Sequence, residues 1–256
     1  MIEIIILSII QGITEFIPVS SSLHLVIFSE MFYKTSLNNL NLLVFTSMHL
    51  GSLIAVILFI FYDSKLEIIK VPFKRLIELM FFGTLPSVLV GFYFYDFVGE
   101  NLTINNLIIF STFFFGVLLF FADRFAQNTK NIKHLKFIDL LFIGIFQCFS
   151  LIPGASRSAT TIISSRFLGI DRKNSIIIST LLSFPVITGA FVLTIYKSDI
   201  QQFNYIHLSQ QVIPSIFFSF ISSYIALKIF FKYSSINGFK SFAIYRVLLA
   251  LFLLFK

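Results

Sequence analysis

The sequence predicts an all-α polytopic membrane protein with six transmembrane helices plus two re-entrant helix–loop–helix hairpins, arranged as two inverted-topology repeats. Three observations predict it. Of the 256 residues 57% are hydrophobic and only 12% charged, against ~25% charged in an ordinary soluble domain; with a mean hydropathy of +0.93, a soluble fold of this size cannot hide so much apolar surface. Apolar stretches of membrane-crossing length recur along the chain, and two others are interrupted by Pro/Ser clusters. Lys and Arg gather in alternate connections. No polar linker divides the apolar segments, so 1–256 reads as a single integral membrane domain.

A transmembrane helix needs roughly 17–25 apolar residues, which places spans at about 44–62, 79–95, 102–122, 174–196, 212–227 and 241–255. The N-terminal apolar region is broken by Pro18-Val19-Ser20-Ser21-Ser22, and the region following Lys136 by Pro153-Gly154-Ala155-Ser156-Arg157-Ser158. Proline removes a helical donor and clashes with the preceding turn. Such breaks survive at membrane depth only where protein or a polar cavity surrounds them. Both regions are therefore expected to be re-entrant hairpins.

The formal net charge is +7, but the basic residues sit in short connections rather than on one face, which argues against nucleic-acid binding. Lys65, Lys70, Lys74 and Arg75 lie in 63–78, Arg124, Lys130, Lys133 and Lys136 in 123–136, and Lys228, Lys232 and Lys240 in 228–240. These connections, and Asp171-Arg172-Lys173, are expected inside. The 96–101 loop, with Asp96 and Glu100, and the 197–211 loop, with only Lys197, are expected outside. Cys148 is alone, which excludes an intramolecular disulfide and a Cys-rich metal site. Met1-Ile2-Glu3 lacks a basic signal-peptide region, so the first apolar stretch is expected to be retained. With no Trp, Tyr is left as the interfacial anchor, and the 36 Phe carry no functional reading.

These orientations give spans 44–62 and 174–196 opposite directions, and likewise 79–95 against 212–227 and 102–122 against 241–255. The halves, about 1–122 and 137–256, share one inverted plan joined by the basic loop 123–136. Weak echoes accompany it: Gln11, Pro18 and Ser21 recur as Gln147, Pro153 and Ser156, and Leu85-Pro86-Ser87 as Ile213-Pro214-Ser215. Chance alignment of apolar sequence could give such echoes; the topology stands apart from them. Inverted repeats with broken helices place a binding site near the midplane, where half-helix N-termini face an anion.

The breaks also hold the polar residues. Gln11 and Glu15 share a helix face, and a carboxylate at membrane depth needs a partner. The serines can cap a half-helix starting near Ser21. Ser21 and His24 then point the same way, a hydroxyl beside an imidazole suited to nucleophile activation or proton transfer. In the second break Arg157 lies between Ser156 and Ser158, with Thr160 and Thr161 a turn on. A helix N-terminus plus a guanidinium suits phosphate oxygens. Glu15 would repel that anion unless a divalent cation, Mg²⁺ or Ca²⁺, sat between them. A structural ion pair of Glu15 with Arg157 is the plainer alternative, and the other histidines, His49, His134 and His207, read as structural. Glu30 and Arg166, farther along the half-helices, are expected to snorkel to an interface.

The run Gln11-Gly-Ile-Thr-Glu15-Phe-Ile-Pro-Val-Ser-Ser-Ser-Leu-His24 resembles the first signature of the bacterial undecaprenyl-diphosphate phosphatases of the bacitracin-resistance type, Glu/Gln-x-x-x-Glu followed by Pro-x-Ser-Ser-x-x-His. Pro153-Gly-Ala-Ser156-Arg157-Ser158-Ala-Thr-Thr161 resembles the second, Pro-Gly-x-Ser-Arg-Ser-x-x-Thr. Leu50-Gly51-Ser52, Phe146-Gln147-Cys148 and Phe242-Ala243-Ile244-Tyr245-Arg246 also look like family segments, so the resemblance covers nearly the whole chain. It implies hydrolysis of undecaprenyl diphosphate to undecaprenyl phosphate and inorganic phosphate, recycling the carrier lipid for peptidoglycan and conferring bacitracin resistance. It implies a divalent cation, a site facing the periplasm or exterior, and residence in the bacterial inner membrane. By motif position, Glu15, Ser21, His24 and Arg157 match the catalytic group, Ser156, Arg157, Ser158 and Thr161 the phosphate binders, and Glu15 with Gln11 the metal ligands. Ser20, Pro153 and Gly154 support them. Gln11 is one of the two residues the signature takes and leaves no second carboxylate there, while Leu23 and Ala159 stand where glycine is usual and are expected to narrow the pocket.

The expected mechanism has Arg157, Ser156 and Ser158 hold the phosphoryl oxygens and Glu15 anchor the cation. Either Ser21 attacks with help from His24, or His24 activates a water; the sequence leaves both open, and a homodimer as well. A transporter or flippase for a lipid phosphate is the rival, since inverted repeats with midplane anion sites are typical of transporters.

Overall fold

The computed structural model describes residues 1–30, 42–62, 71–93, 106–197 and 205–255. Their regular structure is helical apart from one isolated parallel bridge between Lys130 and Ile170. In chain order the α-helices are α1 (Ile2–Thr14), α2 (Ser21–Phe28), α3 (Leu42–Tyr62), α4 (Phe73–Tyr93), α5 (Asn106–Phe125), α6 (Phe137–Gln147), α7 (Arg157–Phe167), α8 (Arg172–Lys197), α9 (Tyr205–Asn237) and α10 (Lys240–Leu254). Five of them, α3, α4, α5, α8 and α9, are long and apolar enough to cross a membrane. The sixth expected span is α10, which has 15 residues. Both broken regions are pairs of short helices, α1–α2 and α6–α7, packed against each other within each pair.

Several boundaries move. Helix α9 runs on through Lys228 and Lys232 to Asn237, so most of the expected 228–240 loop is helix. It stops at Gly238 (φ 76°), whose N–H bonds the Ser234 carbonyl at 3.0 Å; a Cβ there would strike Asp123 and Arg172. Helix α5 likewise takes in Asp123 and Arg124. Pro86, Pro185 and Pro214 lie inside α4, α8 and α9 without ending them, since neighbouring helices can satisfy freed backbone groups in such packing. The 96–101 loop, Lys65, Lys70 and the side chains of Lys197 and His207 lie outside the described residues.

The packing differs from that of a soluble domain in having apolar residues outside as well as in the core. Large apolar side chains such as Phe61, Phe92, Phe110 and Phe125 face outward, while the interior holds more than a score of serines, threonines and charged groups. Helix α7 carries the extreme case: it reads Arg-Ser-Ala-Thr-Thr-Ile-Ile-Ser-Ser-Arg-Phe, yet every residue from Ser158 to Arg166 is buried. Its hydroxyls bond back to its own carbonyls, as Ser164 and Ser165 do to Thr161 O at 3.0 and 2.7 Å. Helices α5, α6 and α8 enclose it.

Small residues set the closest approaches, as expected where no water drives helices together. Helix α9 packs on α1 and α3. Ser219 and Ser223 of α9 bond Ser52 of α3, each at 2.9 Å, and Ser223 also donates to the Gly12 carbonyl of α1 at 3.0 Å. A Cβ on Gly12 would run into Ser222 and the Ser219 backbone. Gly12→Ala is therefore expected to destabilise the protein by about 1–3 kcal/mol through overpacking, read as a lower thermal midpoint in detergent. An unchanged midpoint would refute the α1–α9 contact.

Candidate active site

The two breaks are built alike. Helix α2 begins at Ser21 after Ser20 (φ 73°), and α7 begins at Arg157 after Ser156 (φ 72°). A non-glycine residue in this region costs on the order of 1–3 kcal/mol and persists only when its surroundings enforce it. The Ser20 and Ser22 hydroxyls lie 3.3 Å apart, those of Ser156 and Ser158 3.0 Å apart. Ser156 accepts the Ala159 N–H at 3.4 Å, whereas the Ser20 side chain makes no cap bond and Ser21 is itself helical. The sequence echo pairs Ser21 with Ser156; the backbone instead pairs Ser20 with Ser156, keeping the interval from Gln11 and Gln147. The counterpart of Ser21 is then Arg157.

These two first-turn residues meet on one carboxylate. Arg157 Nη2 donates to Glu15 Oε1 at 3.1 Å, and the Ser21 hydroxyl donates to Glu15 Oε2 at 2.9 Å. Gln11 Nε2 adds a bond to Oε2 at 2.6 Å, and His49 Nδ1 stands 3.3 Å from the same oxygen and 2.8 Å from the Gln11 amide. Glu15 is buried, and the Arg157 side chain is only 10% exposed. Arg157 also donates Nη1 to the Ser179 carbonyl at 3.0 Å, which fixes the guanidinium plane and leaves its other N–H groups for a ligand.

Ser158 donates to the Ile17 carbonyl at 3.0 Å, stitching the second break to the first. Thr161 is fully buried, and its hydroxyl faces the Arg157 and Ser158 carbonyls and Ser179, at 2.9, 3.2 and 2.8 Å. Through Ser179 it braces α7 against α8 one turn below Arg157, whereas the Thr160 hydroxyl bonds back within α7 to the Arg157 carbonyl at 2.9 Å. Gly154 (φ 89°) lies where a Cβ would meet Ser111 and Thr112, and Ser111 donates to the Pro153 carbonyl.

Ser21 and His24 do not form the expected pair. Ser21 spends its proton on Glu15, while His24 bonds the Ser20 carbonyl through Nδ1 at 2.7 Å and the Tyr245 hydroxyl through Nε2 at 2.6 Å. The hydroxyl thus has a carboxylate beside it as a proton acceptor. Arg166 is enclosed by protein: it is 1% exposed and held by Asp123 at 3.2 Å, Asn128 at 2.6 Å and the Ile170 carbonyl at 2.6 Å. The reason is Asp123, which also takes a two-pronged bond from Arg172 at 2.9 and 3.1 Å. Glu30 is half-buried. Gln147 reaches Ser87 at 2.7 Å and has no acidic neighbour in its own hairpin.

Two site residues escape a motif reading. His49 reads as structural in sequence, and its only signal is an ionisable side chain inside an apolar span. Arg246 is fully buried and donates to the Pro18 carbonyl at 3.2 Å, the Gly154 carbonyl at 2.8 Å and the Thr112 carbonyl at 3.3 Å. Pro18 and Gly154 are equivalent positions, each two residues before its positive-φ serine. One guanidinium therefore ties the two breaks together.

For a cation, the described residues contain no group of three or more His, Cys, Asp or Glu side chains. They do present a carboxylate, Glu15, beside a buried amide oxygen, Gln11 Oε1, that has no hydrogen-bond partner. Two oxygens completed by phosphate oxygens and water fit the way Mg²⁺ is commonly held.

Among the described residues, helices long and apolar enough to cross a membrane surround a buried carboxylate–guanidinium pair between two broken hairpins, the arrangement of a polytopic membrane protein with a charged centre. The model of the family described as bacitracin resistance protein BacA matches residues 4–252. Undecaprenyl-diphosphatase of Pelagibacter ubique is 39% identical over 98% of this chain and 96% of its own length. The protein of that name from Methanococcus maripaludis strain C6 is 33% identical over 98% of both chains, and that from Vesicomyosocius okutanii 35% over 99% and 98%. The chain belongs to the BacA family.

The Arg246 contacts carry a consequence for stability. Arg246→Met orphans buried carbonyls, each worth about 1–3 kcal/mol, so the melting midpoint in detergent should drop markedly. Arg246→Lys, which keeps the charge but not the planar fork, should fall between. A wild-type midpoint in both variants would show that the breaks hold without the clamp.

Proposed function

We propose that this chain hydrolyses undecaprenyl diphosphate to undecaprenyl phosphate and inorganic phosphate. The observation that carries this reading is the sharing of one buried carboxylate, Glu15, by Ser21 and Arg157, the first residues of the two half-helices. Family membership and the relatives' names support it. The activity recycles the carrier lipid for peptidoglycan and lowers bacitracin sensitivity by removing that antibiotic's lipid target.

The terminal phosphoryl group is taken by the free N–H donors of Arg157 and by the half-buried Ser156 beside it. Ser158 and Thr161 keep α7 in place. Ser21 Oγ attacks the terminal phosphorus as its proton passes to Glu15, with which it already shares a hydrogen bond. The bond from phosphorus to the bridging oxygen breaks, and undecaprenyl phosphate leaves. Water, giving up a proton to His24, then attacks the phosphoserine, releasing inorganic phosphate and restoring the hydroxyl. Arg157 spreads the charge that develops on the equatorial oxygens. A divalent cation, Mg²⁺ or Ca²⁺, would be held by Glu15 and Gln11 Oε1 and would supply charge neutralisation between carboxylate and phosphate.

The bilayer placement belongs to the same proposal. Lys74 and Arg75, Lys130, Lys133 and Lys136, Arg172 and Lys173, and Lys232 and Lys240 mark the inner face. The two short-helix pairs are re-entrant, α10 completes a sixth crossing, and the site opens to the exterior of the inner membrane. The packing supports inverted repeats: α1 lies on α9 as α6 lies on α4, and α3 lies on α9 as α8 lies on α4. That symmetry also keeps lipid-phosphate transport as the second reading.

Phosphate release separates the two. Purified protein given undecaprenyl diphosphate and Mg²⁺ or Ca²⁺ is expected to release inorganic phosphate and to stop on addition of chelator. Absence of release would favour transport. Ser21→Ala and Arg157→Ala should each lower turnover by at least ~10²-fold, the scale of a lost nucleophile or charge-stabilising donor. Full activity in Ser21→Ala would hand the attack to water.

A further inference from the structure

Tyr245 lies outside the two signature runs, yet its hydroxyl bonds the His24 imidazole. The pairing is specific in geometry. The two ring centroids are 5.7 Å apart and the planes 16° from parallel, and the hydroxyl reaches Nε2 at 2.6 Å. The other ring nitrogen, Nδ1, is 2.7 Å from the Ser20 carbonyl. A carbonyl oxygen only accepts, so Nδ1 carries the proton. In the neutral ring Nε2 is then the acceptor, and the Tyr245 O–H donates to it. The carbonyl that sets this tautomer belongs to Ser20, the positive-φ residue of the first break. Tyr245 adjoins Arg246, whose guanidinium holds the Pro18 carbonyl in the same break. His24 is thus gripped at both nitrogens by the two structures that shape the site.

We infer that Tyr245 is a positioning residue for His24: together with the Ser20 carbonyl it holds the imidazole as the Nδ1–H tautomer, with the basic nitrogen turned toward α10. The inference rests on the phosphatase reading for its kinetic consequence but not for its structural one. A hydrogen bond at each nitrogen is the usual way a functional imidazole is held in one tautomer. A ring serving only to fill space needs neither bond. The charged group acting on the ring is Arg246 on α10. Tyr245 is 43% exposed, so loss of its hydroxyl leaves no buried hole.

Two measurements on Tyr245→Phe test it. In ¹⁵N-histidine-labelled protein, the wild-type His24 signals should show Nδ1 protonated and Nε2 bare, with the Nε2 shift moving in Tyr245→Phe. A wild-type ring protonated at Nε2, or a shift that does not move, would overturn the assignment whether or not the protein releases phosphate. In the release assay, kcat of Tyr245→Phe should fall about 3–30-fold with KM unchanged, and the pH–rate limb lost in His24→Ala should move. The double variant with His24→Ala should be no slower than His24→Ala alone, because Tyr245 acts through the ring. Additive losses, or a kcat and pH profile like the wild type's, would sink the inference. A wild-type protein that shows the tautomer but no phosphate release would fault the proposed reaction and leave the Tyr245 assignment standing.

Discussion

A carboxylate buried among helices is the constraint from which the rest follows. Glu15, buried in the protein, cannot be left without compensation, because removing a charge from water costs several kcal/mol before any partner is counted. Beyond the Gln11 amide of its own helix, its compensation comes from other elements: Arg157 from α7, His49 from α3 and the hydroxyl of Ser21 from the start of α2. To deliver these, both hairpins must break at the same level and both second helices must begin there. The positive-φ serines 20 and 156 make those starts abrupt. The strain is local, and what balances it is a charge-assisted network whose members are each weak alone.

The same logic fixes the scaffold. Helix α7 is pinned at both ends, by Arg157 on Glu15 and by Arg166 on Asp123, with its polar flanks turned inward. Asp123 also gathers Arg172 and the Phe239 N–H at 3.0 Å, so the ends of α5, α7 and α8 and the α9–α10 turn share one ionic knot. Arg246 answers it near the breaks, where it satisfies carbonyls that the broken helices leave free. Polar interactions thus provide the specificity that hydrophobic burial cannot supply in a protein whose surroundings are as apolar as its core.

The sequence carries the architecture in its composition, in the spacing of apolar runs and in the two Pro/Ser breaks, all of which are local signals. It carries the meeting of Glu15 with Arg157 only as a bet, because two segments so far apart in the chain have no periodicity linking them. His49 is invisible for a related reason: one histidine in a span has many bland explanations, and only its neighbours in space distinguish it. Arg246 and Tyr245 share a segment that looks familiar but contains no chemistry-bearing pattern. The Ser21–His24 expectation fails for a geometric reason. Positions three apart share a helix face, but each side chain turns to the strongest partner in reach, a carboxylate for one and a phenol for the other. The helix ends also move, because Lys228 and Lys232 mark charge and not termination, and the stop signal is Gly238.

The arrangement bears on how an anion can be taken up beside a carboxylate. Glu15 lies where two half-helix first turns would otherwise present donors to a ligand, so it occupies the place of an anion already. A phosphate arriving there meets a guanidinium whose charge is partly spent on Glu15, and two like charges at that distance repel strongly in a medium of low dielectric. Arg157 can serve both because its fork has donors to spare, and Ser21 can serve both because its oxygen is free while its proton is held. In the proposed reaction, passing that proton to Glu15 removes the carboxylate's charge as negative charge builds on the phosphoryl oxygens. The pairing that stabilises the resting protein is the one that relieves repulsion when the chemistry begins.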